Sequence, residues 1–299
     1  MTDTAPSPLF GPMRLPFLIL TPACVLVGVA TAVASGAAIS PLPVLVALAG
    51  AVAAHICVNA LNEFDDFRSG LDFKTSRTPF SGGSGALPAN PAQAYTALYT
   101  GVASALFTVA VGVYFTMLHG WGIIPLGLLG LLVIVLYTRH ITRNPLLCLI
   151  APGLGFGPLM VMGTHFALTG SYSLPPFVAS LVPFFLVSNL LLINQFPDVT
   201  ADREIGRHHL PIAWGVKAAA RVYVAFLALT YIAIIAGVAL RMLPPLALLG
   251  LGTLILAVPT ARGALAHAES IPELVPYLGR NVVVVIATPV LMAIGIFIG

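Results

Sequence analysis

Charge is what this sequence has least of: Asp, Glu, Lys and Arg make up 8% of its 299 residues, against about a quarter in a soluble globular domain. A water-facing surface of ordinary composition cannot be assembled from so few. A separate soluble domain is therefore excluded, and residues 1–299 read as a single membrane-embedded domain. Cysteine is scarce as well. Cys24, Cys57 and Cys148 stand alone in apolar stretches with no Cys-x-x-Cys pair, which argues against a disulfide framework or a structural zinc site. Despite a net charge of +3, no run of Lys and Arg suits a nucleic acid. The segment Met1 to Pro8 lacks the basic start, apolar centre and cleavage site of a signal peptide, so the first apolar run is expected to be retained as a membrane helix.

Apolar residues supply 59% of the chain. They fall in runs long enough to span a bilayer, about 17–25 residues, near 16–36, 41–61, 92–117, 121–138, 145–167, 176–196, 218–240, 243–261 and 281–298. The expected fold is all-α: a polytopic membrane protein of nine transmembrane helices bundled around a central cavity. A soluble bundle would need more polar surface than the sequence owns. Connections after the odd runs are short and nearly neutral, whereas 62–91, 139–144, 197–217 and 262–280 are polar. Placing the even connections with Arg14 and Arg221, in the first turn of the seventh run, on one side gathers twelve of the thirteen Lys and Arg; only Arg241 is left out. Basic residues mark the cytoplasmic side, so the chain is expected in the cell (inner) membrane with its N-terminus inside.

The ten acidic residues are clustered. Glu63, Asp65, Asp66 and Asp72 follow the second run, and Asp198, Asp202 and Glu204 follow the sixth. Carboxylates are costly inside a bilayer, about 2.5–3.5 kcal/mol each at its centre, so these must face a cavity or the interface. Grouped carboxylates repel one another unless a cation lies between them, and hard oxygen donors favour Mg2+ or Ca2+. Asn62 and Asp66 are four apart, as are Asn194, Asp198 and Asp202, so each set is expected on one helical face. The offset from Asn62 to Asn194 equals that from Asp66 to Asp198, which hints at an internal repeat. Mg2+ on one or two carboxylates leaves room for phosphates. Lys74, Arg77, Arg139, Arg143, Arg203, Arg207 and Lys217 lie on the same side. Two metal ions with these cations would stabilise diphosphate as a leaving group, and an apolar cavity matches a prenyl tail. A transporter is the alternative class, but its site usually lies near the midplane, whereas these carboxylates sit at helix ends.

Two segments carry a family resemblance: Asn62-Glu-Phe-Asp-Asp66-Phe-Arg-Ser-Gly70-Leu-Asp72 and Asn194-Gln-Phe-Pro-Asp198-Val-Thr-Ala-Asp202-Arg-Glu-Ile-Gly206-Arg207. The sequence resembles the UbiA superfamily of intramembrane prenyltransferases. The resemblance implies nine helices and transfer of a prenyl group from a Mg2+-bridged prenyl diphosphate to an acceptor. It further implies that Asn62, Asp66 and Asp72 serve one Mg2+, and Asp198 and Asp202 a second. Arg77 and Arg207 would lie near diphosphate, with Asn194, Lys74, Arg139 and Arg143 as further substrate-binding residues. Asp66, Asp198 and Arg77 are the expected catalytic set. Where 4-hydroxybenzoate prenyltransferases place a further Asp, this chain has Gly70, with the carboxylate two residues on at Asp72. That ending is more similar to 1,4-dihydroxy-2-naphthoate polyprenyltransferases of menaquinone synthesis. The implied acceptor is therefore aromatic, with 4-hydroxybenzoate, a lipid alcohol and terpene cyclisation as alternatives.

Other residues are read more plainly. Phe80-Ser-Gly-Gly-Ser-Gly85 either offers backbone N–H groups to a phosphate or forms a turn or lid. His208 and His209, with no acidic or Cys partner at ligand spacing, read as interfacial polar residues. His55 could hydrogen-bond an acceptor hydroxyl but reads as a satisfied buried histidine, Tyr137 could stack against a carbocation but reads as an interfacial anchor, and Phe184 and Phe185 read as lipid-facing or core residues. A shared site requires loops 62–91 and 197–217 on one face. Single cysteines placed in each loop are expected to react with an impermeant reagent from the cytoplasmic side, and labelling from opposite faces would falsify the shared site.

Overall fold

The computed structural model describes residues 7–299; most of Met1 to Pro8 lies outside the described residues. Among them the chain is helical throughout, with no strand. Eight helices are long and apolar enough to cross a membrane: α1 (Leu15–Ala34), α2 (Pro41–Ser69), α3 (Pro91–His119), α5 (Pro145–Thr169), α6 (Leu174–Asn194), α7 (Val216–Ala239), α8 (Pro245–Ala266) and α9 (Ile271–Ile298). A further apolar helix, α4 (Trp121–Leu136), is shorter. Its 16 residues extend about 24 Å, less than the roughly 30 Å hydrocarbon core.

Two boundaries differ from the hydropathy reading, for one reason. The expected second span stops at 61 and the ninth starts at 281, yet α2 runs on to Ser69 and α9 begins at Ile271. Polar residues end an apolar run without ending a helix. What stops α2 is Gly70, with φ of +79°, whose N–H reaches back to the Asp66 and Phe67 carbonyls as a left-handed helix cap does. The first motif is thus partly on α2, where Asn62 and Asp66 stack one turn apart. The second motif departs from the expected single face. Helix α6 ends at Asn194 and the chain turns before a short helix at Val199–Glu204. Pro197 has no N–H to continue the ladder and disfavours helical geometry at Phe196. Asn194 therefore ends α6, Asp198 lies at the turn and Asp202 on the new helix.

The molecule has a packed half and a hollow half. The main hydrophobic cluster joins α1, α6, α7 and α9 through fully buried Val27, Leu186, Ile234 and Met292. Inside it, Asn189 Nδ2 donates to the Tyr223 carbonyl and the Tyr223 hydroxyl donates to Asn281 Oδ1, both at 2.8 Å. On the other side, α2 to α5 enclose a cavity of about 770 Å³ lined by Ala47, Ala54, Val111, Leu131, Phe156 and Met160 among others. It reaches from Ala47 to Asp66, about 28 Å along α2. Met117, Trp121 and Leu128 line its side and are 84%, 80% and 62% exposed. Apolar surface so bare belongs in lipid.

Helix α5 is π-helical over Gly155–Met162, with Pro152 just before and Pro158 within. Pro158 cannot donate a regular helical bond, and the widened turn presents Gly155, Phe156 and Leu159 to the cavity. Its far side needs small residues: a Cβ on Gly157 would lie 2.6 Å from the Ser180 carbonyl of α6. Close backbone approach through glycine is how membrane helices pack without a hydrophobic driving force. Gly157→Leu is expected to destabilise the protein by about 1–3 kcal/mol, the usual cost of overpacking, read as a lower melting temperature in detergent.

Candidate active site

One end of the cavity is where the two acidic motifs meet. Asp66, near the end of α2, is 5% exposed, and Asp202, on the short helix after α6, is 2% exposed. One residue joins them. Arg207 donates from Nη1 to Asp202 Oδ1 at 2.8 Å and from Nη2 to Asp66 Oδ1. His209 supplies the second contact to Asp202, its Nε2 lying 2.8 Å from Oδ2. Gly206, with φ of +81°, makes this possible by turning the chain back so that 207 and 209 return to 202. Only a residue without Cβ adopts that conformation freely.

The loop 80–85 closes the site from above and touches both motifs. Gly82 N–H donates to Asp198 Oδ2 at 3.1 Å, and Ser84 donates to Glu63 Oε1 from its N–H at 2.8 Å and from its hydroxyl. Gly82, Gly83 and Gly85 all have φ near +80°, so the glycines are a backbone requirement. A Cβ on Gly83 would lie 2.7 Å from Asp72 Oδ1. Arg14, just before α1, completes the wall: its guanidinium donates to Glu63 Oε2 at 3.0 and 3.2 Å and to Asn62 Oδ1 at 3.4 Å.

The expected site residues divide. Asn62, Asp66, Asp72, Asn194, Asp198, Asp202 and Arg207 all line the cavity. Arg77 does not: it is exposed and lies across Gly85. Lys74 forms a surface pair with Glu204 at 2.8 Å, which ties the two motif loops together outside the cavity. Arg139 is held by Asp65 at 2.7 and 3.0 Å. With Arg143 and Arg68 it lines a separate cavity of about 280 Å³ that shares Asp66 and Arg207 with the large one. Two expectations need correction. His209 has an acidic partner after all, because the chain folds back where spacing along a straight helix shows none. Tyr137 faces the cavity instead of anchoring at the interface, because α4 ends at Leu136 and the chain turns inward. Arg14 was missed as a site residue; its only sequence signal was a lone cation against the first apolar run. Thr21 Oγ and His55 Nδ1 share a hydrogen bond of 2.8 Å, as expected of a satisfied histidine.

The carboxylates fall into two electrostatic classes. For Asp202 burial works toward a raised pKa, but the hydrogen bond from His209 and the charge of Arg207 hold it below the usual range. Asp72 is pushed up to about 7 by burial and then by Glu63 and Asp66, and Asp198 to about 7 by burial and then by Asp202. Asp72 Oδ2, Asp198 Oδ1 and Asn194 Oδ1 are buried with no hydrogen-bond partner, an arrangement that wants a cation. Among the described residues no three His, Cys, Asp or Glu side chains are gathered closely enough to hold one alone. Two carboxylates, an amide oxygen and room for phosphate oxygens fit Mg2+, which binds through few carboxylates and shares its substrate.

The model of the UbiA prenyltransferase family matches residues 21–271. The chain belongs to that family. A 1,4-dihydroxy-2-naphthoate octaprenyltransferase from Bacillus subtilis (strain 168) is 29% identical over 184 residues, 60% of this chain and 57% of the relative; the match thus spans less than two thirds of that relative. The apo structure of a UbiA homolog from Aeropyrum pernix K1 shares the fold with a TM-score of 0.69 at 20% identity, over 95% of this chain and 98% of that one. A UbiA homolog from Archaeoglobus fulgidus bound to GPP and Mg2+ gives 0.62 at 13% identity, over 98% and 100%. At such identities the likeness is one of fold.

In this UbiA-family chain the raised Asp72 and Asp198 have a consequence for pH. Between the ordinary carboxylate pKa near 4 and about 7, the folded metal-free protein holds protons that the unfolded chain has lost. Its stability therefore falls as pH rises through that window. Asp202, held low, is ionised in both states there. Melting temperature without metal is expected to drop from pH 5 to pH 8, and the increase on adding Mg2+ to be larger at pH 8 than at pH 6. A Mg2+ effect independent of pH would remove these two carboxylates from the metal site.

Proposed function

We propose that the protein transfers a prenyl group from a prenyl diphosphate to an aromatic acceptor, with 1,4-dihydroxy-2-naphthoate preferred, in quinone (menaquinone) biosynthesis. The observation that carries this reading is a single cavity with an apolar barrel and, at one end, buried carboxylate oxygens with no partner. Nine crossings, N-terminus cytoplasmic, would put that end at the inner surface. The tail lies among α2 to α5 and the diphosphate between the motifs.

Two Mg2+ fit the proposal, and the chemistry they supply when bound is neutralisation of the departing diphosphate. Asp72, Asp198 and Asn194 have oxygens free at once; Asp66 and Asp202 join the set once Arg207 turns to the diphosphate, and Asn62 once Arg14 releases its Oδ1. Arg77 and Lys74 would assist from the loop side. The C–O bond to diphosphate breaks, an electron-rich ring carbon forms the new C–C bond, and attack at a C–H carbon ends with loss of that proton. The apolar walls keep water from the allylic cation. Arg143, which forms no salt bridge among the described residues, and Arg139, held by Asp65, are the proposed partners of the acceptor carboxylate. The position of the carboxylates at helix ends disfavours transport.

The test is an incubation of purified protein with labelled prenyl diphosphate and an acceptor panel. Prenylated naphthoate is expected, with one diphosphate released per product and no need for a gradient. Asp66→Ala or Asp198→Ala should lower turnover by roughly 100-fold or more, the usual loss of a transition-state charge stabiliser. Arg143→Ala should raise the acceptor KM about tenfold or more, as loss of a charge-assisted hydrogen bond does, and leave the KM for prenyl diphosphate unchanged. Product from 4-hydroxybenzoate or a lipid alcohol alone would overturn the acceptor; full activity in either Asp variant would overturn the metal site.

A further inference from the structure

His209 stands outside every role assigned so far. It is 1% exposed, far more buried than an interfacial histidine, and its ring faces the motif-bearing end of the large cavity. A carboxylate only accepts, so in the 2.8 Å contact with Asp202 Oδ2 it is His209 Nε2 that carries the hydrogen. The other nitrogen, Nδ1, is buried with no partner. A buried polar atom left unsatisfied is uncommon, and here the ring is oriented by one contact only, the one to Asp202.

We propose that His209 is a positioning residue that holds Asp202 in its metal-binding orientation while Arg207 is engaged by diphosphate. The proposal rests on the prenyl-transfer reading. In the metal-free protein Asp202 has two donors: Arg207 on Oδ1 and His209 on Oδ2. Arg207 has a second task, because it also pairs with Asp66 and is the cation that diphosphate would draw away. When it turns, Oδ1 is freed for a cation and only His209 still fixes the carboxylate. The backbone is built for a static role. His209 begins the helix Leu210–Trp214, where Leu210 is fully buried, and the N–H of neighbouring His208 donates to the Thr142 carbonyl at 2.9 Å. The imidazole therefore stays in place whichever way Arg207 points. A histidine that donates to a ligating carboxylate orients it, and losing such a partner weakens metal binding by about 10–100-fold.

The test compares His209→Gln, His209→Asn and His209→Met in the full chain in detergent. Gln sets an amide nitrogen where Nε2 stands, Asn is too short to do so, and Met keeps the bulk without a donor. Binding of Mn2+ in the presence of inorganic pyrophosphate is read by electron paramagnetic resonance, beside melting temperature and the Mg2+ dependence of turnover. His209→Met and His209→Asn should bind Mn2+ 10–100-fold more weakly and need correspondingly more Mg2+, with kcat at saturating Mg2+ changed far less. His209→Gln should recover most of the affinity, and His208→Ala, on the exposed neighbour, should match wild type. If the Met variant does not fold, the contrast between Gln and Asn decides. Equal Mn2+ affinity in wild type and His209→Asn would overturn the proposal, as would weak binding by His209→Gln at a wild-type melting temperature. Wild-type protein that binds no Mn2+ with pyrophosphate would instead sink the prenyl-transfer reading on which the proposal rests.

Discussion

Arg207 joins two stretches of chain that would otherwise drive each other apart. Asp66 and Asp202 belong to different motifs and both are buried at the edge of a low-dielectric medium. A guanidinium can serve two carboxylates at once because its donors sit in a rigid planar fork, and Arg207 uses one nitrogen for each. Removing one member of a buried ion pair commonly costs about 3–5 kcal/mol, because the other charge is left uncompensated. The motif-bearing ends of α2 and α6 are therefore tied together by this contact. The loop 80–85 depends on it in turn, since its two anchors, Glu63 and Asp198, lie on opposite sides of the bridge.

The same contact explains why the four carboxylates differ. Arg207 and His209 satisfy Asp202 fully, and Arg207 satisfies one oxygen of Asp66. Asp72 and Asp198 are left with buried, unpartnered oxygens and are pushed up toward neutrality. Arg207 and Arg14 are enough to assemble the site and too few to saturate it. That shortfall is the physical difference between a structural ion-pair cluster and a receptive one: the remaining negative potential is offered to whatever divalent cation and anion arrive together.

Much of this was legible in the sequence, because the signals were compositional or local. Scarcity of charge forces a membrane setting, and runs of spanning length locate the helices. Asn62 and Asp66 could be placed on one face because α2 continues through them. What stayed hidden depended on the path of the chain. Asn194 and Asp198 share the spacing of the first motif, yet Pro197 ends the helix between them, so equal spacing produced unequal geometry. His209 and Asp202 are brought together by the left-handed turn at Gly206, and no periodicity announces a contact across a reversal. Arg139 and Arg143 were expected among the substrate-binding cations, but charge says nothing about direction, and they line the smaller cavity. Arg14 was overlooked because a single residue in front of a helix makes no pattern.

The division into a packed and a hollow half bears on how the site can work at all. A prenyl tail needs space between helices, and empty apolar space costs a protein stability. Here α1, α6, α7 and α9 pack tightly around side-chain and backbone hydrogen bonds, and the cavity lies to one side of them, walled by α2 to α5. Helix α6 belongs to the packed half and carries the second motif at its end, whereas α2 walls the cavity and carries the first. On the proposed reading, the polar head of a bound substrate would lie where the packed half meets the half that would admit a tail. A motif on each half means that the two acidic groups can be brought into register by charge alone, through Arg207, without requiring the helices around the cavity to close upon themselves.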